Sequence, residues 1–324
     1  MNNPRRRHVL DLDDFSVDEI SRVLDTGVEM REVLRRPIKR VPALRGKTVV
    51  NMFYEASTRT RVSFELAAKN LSADVVNISA SGSSVEKGES LLDTMKTFEA
   101  LGADTIIIRH PRSGAPHVAA ASTSKSIVNA GDGAHAHPTQ ALLDLYTMRE
   151  RFGRLDGLNV TIVGDVLHSR VARSNIWGLT IMGARVTLCG PATLLPLVPC
   201  GEATASASQS SASLPRVHIT SNLVEALTDA DVVMALRLQR ERQTAGLLPS
   251  IREYISRFQI NETHLRHARP NVLVMHPGPM NEGVEISPEV AHGPLSAIEE
   301  QVTNGVAIRM ALLYLLQGDA TNGL

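Results

Sequence analysis

The residues Ser57-Thr58-Arg59-Thr60-Arg61 stand between a strand-like run at 47–53 and a helix-like run at 62–71. Hydroxyls and a guanidinium thus open a helix, where the first backbone N–H groups lack intrahelical partners and the dipole is positive. Such an end suits a phosphate, and Ser, Thr and Arg side chains add donors around it. The competing reading is a plain N-cap by Ser57 with two solvated arginines. Other polar groups follow later strand-like runs. After 74–78 comes a loop holding Ser83, Lys87 and Gly88, and after 104–109 comes Arg109-His110-Pro111. After 126–129 comes Gly131 to Gln140, with His135, His137 and Gln140. Open α/β sheets bind ligands beyond the carboxyl ends of their strands, so hydroxyls, cations and a histidine gather at one edge. That edge suits an anion, a phosphate above all.

A second series repeats the pattern. Gly164-Asp165 leads to His168-Ser169-Arg170 at a helix start, Arg237 and Gln239 follow 231–236, and His276-Pro277-Gly278-Pro279 follows 272–275. Guanidinium forks match carboxylates, so this edge suits an acid. Blander roles remain open for several of these residues. His137 could merely cap a helix, Lys87 could be solvated, and Arg237 could belong to a surface network with Glu241 and Arg242. Glu55, beside the phosphate-type loop, is expected to pair with Arg170 or Arg242 when the two halves close. His135 and His137 suggest a metal pair, but no cysteine or carboxylate cluster completes a zinc set, so no metal is expected. Neither a G-x-G-x-x-G, a Walker loop nor a G-x-S-x-G elbow is present. A nicotinamide-dependent oxidoreductase is the first rival reading, disfavoured by the missing glycine fingerprint. A two-domain binding protein of the periplasmic type is the second, disfavoured by the lack of a leader and by arginines on both edges.

These residues need elements to hold them. Strand and helix patterns alternate through most of the 324 residues, which predicts an α/β fold of two doubly wound parallel-sheet domains with a ligand cleft between them. An amphipathic helix at 17–34 comes first, and further helices are expected at 89–101 and 115–122. A helix at 138–152 begins with proline and is followed by Gly153. Strands restart at 159–164, 185–188, 217–219, 231–236 and 272–275, and a helix at 295–316 closes the chain. The expected domains are 1–140 plus 295–324, and 141–294, joined by long helices. A Ser/Ala-rich insertion at 200–213 reads as a surface segment.

Composition narrows the partners. Charge balances at zero, which argues against nucleic acid or an anionic membrane. The two cysteines, Cys189 and Cys200, suggest no disulfide framework, and a cytosolic protein is expected. The apolar run behind Arg5-Arg6-Arg7 is too short for a signal peptide, and no segment approaches the roughly 20 apolar residues of a membrane span.

Taken in order, six segments resemble the aspartate/ornithine carbamoyltransferase family. They are Phe53 to Phe64, Lys87-Gly88-Glu89-Ser90, Arg109-His110-Pro111, His137-Pro138-Thr139-Gln140, Arg237-Leu238-Gln239 and His276-Pro277-Gly278-Pro279. The last two resemble the aspartate branch rather than the ornithine branch, since no His-Cys-Leu-Pro or Ser-Met-Gly run is present. An arginine also suits a second carboxylate and would repel an ammonium. The resemblance implies transfer of a carbamoyl group from carbamoyl phosphate to the amine of L-aspartate, without a cofactor. It implies that Ser57, Thr58, Arg59 and Thr60 hold the phosphate, while Thr60, Arg109 and His137 polarise the carbamoyl oxygen. Gln140 and the carbonyls of Gly278 and Pro279 would hold the carbamoyl NH2, and Arg170, Arg237 and Gln239 the aspartate carboxylates. Ser83 and Lys87 would come from a neighbouring chain of a homotrimer, Lys87 reaching both substrates. A regulatory chain or a dihydroorotase are further partners that the resemblance suggests. Two departures stand out: Gly278 replaces a leucine of some relatives, and Arg173 interrupts a Thr-Val-His-Ser run.

Overall fold

The computed structural model describes residues 6–79, 90–196, 215, 217–239 and 250–317. The chain divides into two compact units, Met1–Tyr146 with Val302–Leu324, and Thr147–Gln301. Ser83, Lys87, Arg242 and the 200–213 insertion lie outside the described residues.

The first unit opens with α1 (Val17–Arg35). Ser16 and Glu19 form a reciprocal capping box at its start, satisfying two orphan donors. Its apolar stripe, including Ile20, Leu24 and Met30, is fully buried. Gly27 lies on that stripe because a Cβ there would come 2.6 Å from Ile308, which crosses it from the C-terminal helix. Strands β1 (Thr48–Phe53), β2 (Asp74–Ser79), β3 (Thr105–His110) and β4 (Ser126–Asp132) alternate with helices α2 (Thr58–Asn70), α3 (Leu91–Ala100) and α4 (Ala115–Ser122). They form one parallel sheet in the order β2-β1-β3-β4. Every residue of β4 is buried although the strand lies at an edge. The N-terminal segment covers that edge: Val9 N–H donates to Ile127 O and Val9 O accepts from Asn129 N–H.

Helix α5 (Pro138–Phe152) starts in the first unit and ends in the second. The second unit holds β5 (Asn159–Val163), α6 (Arg170–Ile181), β6 (Arg185–Cys189), β7 (His218–Thr220), α7 (Leu223–Leu227) and β8 (Val232–Ala235). Then come α8 (Ile251–Phe258), α9 (Glu262–Leu265), β9 (Leu273–Met275) and α10 (Pro288–Ala291). Its parallel sheet runs β7-β6-β5-β8-β9. Strands β5 and β8 are buried on both faces apart from Asn159, which is why β8 reads as a continuous apolar run and β5 departs from one only at Thr161, whose hydroxyl donates to Ala226 O. Helix α11 (Ile298–Gln317) returns the chain to the first unit.

The expected strands match to within one residue at either end, except β4, which runs to Asp132, three residues past its expected end. Sequence patterns gave no signal for α7, α8, α9 and α10, which are eight residues or shorter. No described helix is long and apolar enough to cross a membrane.

Candidate active site

In both sheets the strand order reverses beside the first strand of the series, between β1 and β3 and between β5 and β8. Such switch points open a crevice at the carboxyl edge, where ligands bind. The same kinds of group stand at both: a loop leading into a helix, and an arginine at the end of the neighbouring strand.

In the first unit, β1 ends at Phe53 and α2 begins at Thr58. Ser57 occupies the N-cap position with extended backbone, but its side chain makes no cap hydrogen bond. The simple capping role is therefore not the one this serine performs. Arg61 N–H donates to Ser57 O, closing the first helical turn. Thr58 and Arg59 are exposed, Ser57 is half-buried and Thr60 is buried. One strand over, Arg109 lies at the end of β3, where Nη2 donates to Glu55 Oε1 at 2.6 Å and Nη1 to Ala130 O at 3.2 Å. Glu55, expected to pair with Arg170 or Arg242, thus holds Arg109 here. His110 packs edge-on against Tyr54 and accepts from Arg112 N–H through Nδ1. Burial holds its pKa below the usual histidine range, and the Arg112 charge acts the same way.

After β4, the buried carboxylate of Asp132 organises the loop that delivers His137 and Gln140. It accepts from Asn129 Nδ2, Ala136 N–H and Gly114 N–H, and it bonds the His135 ring. Burial alone would raise the Asp132 pKa, but bonds from His135, Asn129 and the Gly114 amide bring it below the ordinary aspartate value. Gly133, in the left-handed region, passes so close to Ser113 that a Cβ would lie 2.8 Å from its nitrogen. His137 is buried just ahead of α5 and its carbonyl accepts from Gln140 and Ala141. Gln140 Nε2 donates to Asp144 Oδ1 at 2.9 Å.

Among the described residues, the group of three possible metal ligands does not include His137. His135 groups instead with His117 and Asp132, and the potential ligand atoms of the three lie within 4.8 Å of one another. These could offer two ring nitrogens and an oxygen to a cation, but three backbone or amide donors already occupy the Asp132 carboxylate. Sequence spacing missed this grouping because His117 comes from α4, a separate element.

In the second unit, Gly164 turns away from β5 with positive φ, and a Cβ there would meet Leu236 O at 3.1 Å. Asp165 is fully buried and bonds both the backbone N–H and Nδ1 of His168. Ser169 caps α6 by accepting from Ala172 N–H, and buried Arg170 is the first residue of that helix. Arg237 and Gln239 follow β8, half-buried on either side of buried Leu238. After β9, His276 is buried, with Nδ1 accepting from Gly278 N–H and Nε2 facing Glu285. That pairing turns the chain so that Gly278, at φ 64°, and Pro279 follow at the strand's carboxyl end, joined by a cis peptide. Cys189 is buried, which pushes its thiol up to about 12 and removes it as a nucleophile at neutral pH.

The structure thus places Ser57 to Thr60 at the start of α2, Arg109 at the end of β3, and His137 and Gln140 at the start of α5, after strands of one sheet. It places Arg170, Arg237, Gln239, Gly278 and Pro279 after strands of the other.

Comparison with known proteins finds two domain models along the chain, the second of which takes in most of α11. The carbamoyl-P binding domain of aspartate/ornithine carbamoyltransferases matches residues 7–150, and their Asp/Orn binding domain matches residues 156–316. The aspartate carbamoyltransferase catalytic subunit of Roseiflexus sp. (strain RS-1) is 63% identical over 315 residues, covering 97% of this chain and 96% of that one. That of Chloroflexus aggregans is 60% identical over 314 residues, covering 97% and 99%. Among solved structures, aspartate transcarbamoylase from Trypanosoma cruzi, in complex with N-(phosphonacetyl)-L-aspartic acid, aligns with a TM-score of 0.84 at 29% identity, covering 97% of both chains. Ornithine carbamoyltransferase from Pyrococcus furiosus aligns at 0.82 with 27% identity, covering 96% of both. With two domain models spanning nearly its whole length and relatives above 60% identity, the chain belongs to the aspartate/ornithine carbamoyltransferase family.

Proposed function

We propose that this chain transfers the carbamoyl group of carbamoyl phosphate to the α-amine of L-aspartate, giving N-carbamoyl-L-aspartate and phosphate. The observation that carries this reading is the uncapped start of α2 beside Arg109, in a chain 63% identical to an aspartate carbamoyltransferase catalytic subunit. A T. cruzi relative has been solved with carbamoyl phosphate and aspartate together, so both ligands belong to this fold.

The first unit takes carbamoyl phosphate. Ser57, Thr58, Arg59 and Thr60 hold the phosphate at the α2 N-terminus, where backbone N–H groups and the dipole favour an anion. Thr60, Arg109 and His137 polarise the carbamoyl oxygen. Gln140 and the carbonyls of Gly278 and Pro279 hold the NH2. In the second unit Arg170, Arg237 and Gln239 grip the two carboxylates of aspartate.

The deprotonated amine attacks the carbamoyl carbon, and the carbonyl electron pair moves onto the oxygen facing Arg109. When that pair returns, the C–O bond to phosphate breaks, and the departing phosphate takes the amine proton. Oriented reactants reach effective molarities of about 10⁵–10⁸ M, and each donor on the developing oxyanion supplies roughly 3–4 kcal/mol more. No covalent intermediate is needed.

The reading extends to a cytoplasmic homotrimer acting in de novo pyrimidine synthesis, with Ser83 and Lys87 reaching a neighbour's site. Arg59→Ala and Lys87→Gln parents, each inactive, should regain activity when dissociated, mixed and reassembled. Hybrids as dead as the parents would remove the shared site. A regulatory chain or a dihydroorotase is sought by co-purification. The reaction itself is tested by phosphate release from carbamoyl phosphate with aspartate and with ornithine. Turnover with aspartate alone is expected, and turnover with ornithine alone would overturn the assignment.

A further inference from the structure

We infer that Asp144 and Arg309 are positioning residues that lock the Gln140 amide with its oxygen toward the carbamoyl NH2, making the site selective for a carbamoyl over an acyl group. This rests on the reading that places Gln140 at the NH2. Gln140 and Asp144 lie four residues apart on α5, hence on one face of the helix. Gln140 is 8% exposed and Asp144 0%, and Gln140 Nε2 donates to Asp144 Oδ1 at 2.9 Å. An ionised carboxylate only accepts, whereas an amide donates from one end and accepts at the other. Asp144 can therefore engage only the NH2 end of Gln140. A flipped amide would set its oxygen against the carboxylate. The Gln140 oxygen is left pointing the other way, as an acceptor of fixed direction.

An ionised carboxylate this deeply buried needs a countercharge, and α11 brings one. Arg309 is 4% exposed, and its Nη1 donates to Ser63 Oγ on α2 at 2.8 Å. Its guanidinium lies 4.9 Å from the centre of the Phe64 ring. Gly305, one turn earlier on α11, makes room: a Cβ there would sit 2.6 Å from Arg309 Nη1. Burial lowers Arg309 to about 10, with Asp144 opposing that fall, so the guanidinium stays charged at neutral pH. A glycine and an arginine on α11 thus tie the phosphate helix α2 to the helix that carries Gln140.

Acetyl phosphate, which has a methyl where carbamoyl phosphate has NH2, isolates this contact. KM for carbamoyl phosphate and Ki for acetyl phosphate are measured for wild type, Gln140→Ala, Asp144→Asn and the double variant. Gln140→Ala and Asp144→Asn should each raise the carbamoyl phosphate KM about tenfold, the value of one lost hydrogen bond, and leave the acetyl phosphate Ki within about twofold. The double variant should be no worse than Gln140→Ala, because coupled residues are not additive. If Asp144→Asn alone does not fold, Asp144→Asn/Arg309→Met removes the buried charges as a pair and takes its place. Equal loss of both ligands, or unchanged selectivity while Gln140→Ala loses it, would make Asp144 merely structural and overturn the inference. Unchanged selectivity in Gln140→Ala would instead overturn the placement of Gln140 itself.

Discussion

The β1–α2 and β5–α6 connections occupy equivalent places beside the switch points of their sheets, yet they use their backbone donors differently. At α6, Ser169 takes Ala172 N–H and Asp165 takes His168 N–H, so the turn satisfies itself. At α2, Ser57 leaves the helix start without a side-chain cap. A self-satisfied turn has little to offer a ligand except side chains, and there the unit presents Arg170 and Arg237. An uncapped helix start offers backbone N–H groups and the positive end of the dipole. The first arrangement suits a small planar carboxylate that a guanidinium fork can match, and the second suits a phosphate with many oxygens.

If the two edges divide the substrates this way, arginines in corresponding places should fail differently. Arg109 stands at the end of β3 and Arg237 just after β8, each beside its switch point. Arg109→Ala removes a charged donor at the developing oxyanion, and kcat should fall roughly a thousandfold. Glu55→Gln, which weakens the 2.6 Å bond holding Arg109, should move kcat the same way by a smaller factor. Arg237→Ala should raise the aspartate KM about a hundredfold while the carbamoyl phosphate KM changes little. Steady-state kinetics with each substrate varied in turn would read this out. Equal weakening of both substrates by Arg237→Ala would erase the distinction between the edges.

Much of this division is legible in the sequence because it rests on strand ends. Strands announce themselves as apolar runs of β-branched residues, and the residue after each run is then known to lie at the carboxyl edge. Arg109, Arg237 and His276 were found this way. What the sequence hides are contacts between elements far apart in the chain. Arg309 meets Ser63 across two separate helices, and His117 meets His135 from a different element. No local period encodes either. The N-cap at Ser57 shows a subtler limit, because a serine at a helix start reads the same whether or not its hydroxyl caps. Asp144 is a different case: its spacing of four from Gln140 is visible, but nothing in the pattern says that both side chains point inward.

The Asp132 brace tests whether the first edge depends on a preorganised loop. Its depressed pKa gives a sign for the effect of pH. The folded state holds the carboxylate ionised more readily than the unfolded chain does, so the contribution is present above the unfolded aspartate value. It is lost as pH falls through the lower, folded one. Asp132→Asn should therefore cost about 1.5–3 kcal/mol of stability at neutral pH, and the gap from wild type should narrow in strong acid. Urea unfolding at a series of pH values measures it. A constant gap across that series would mean that the charge of Asp132 is not what holds the loop.

The smallest expected effects address the comparison most directly, because they exchange the roles of two serines. Ser169→Ala deletes the bond from Ala172 N–H and should cost about 1 kcal/mol of stability, with the carbamoyl phosphate KM unchanged. Ser57→Ala deletes no cap bond, so stability should shift by only a few tenths of that amount, while carbamoyl phosphate binding weakens about tenfold through a lost phosphate contact. Ser57→Asp sharpens the contrast. Aspartate is a good N-cap and its charge favours the helix dipole, so this variant should be at least as stable as wild type. The same carboxylate would occupy the place of the phosphate and repel it, so carbamoyl phosphate binding should be abolished. Thermal unfolding and kinetics on the three variants decide the matter. A Ser57→Ala variant that loses stability as Ser169→Ala does, with normal carbamoyl phosphate affinity, would mean that α2 is an ordinary capped helix and that the phosphate is held elsewhere.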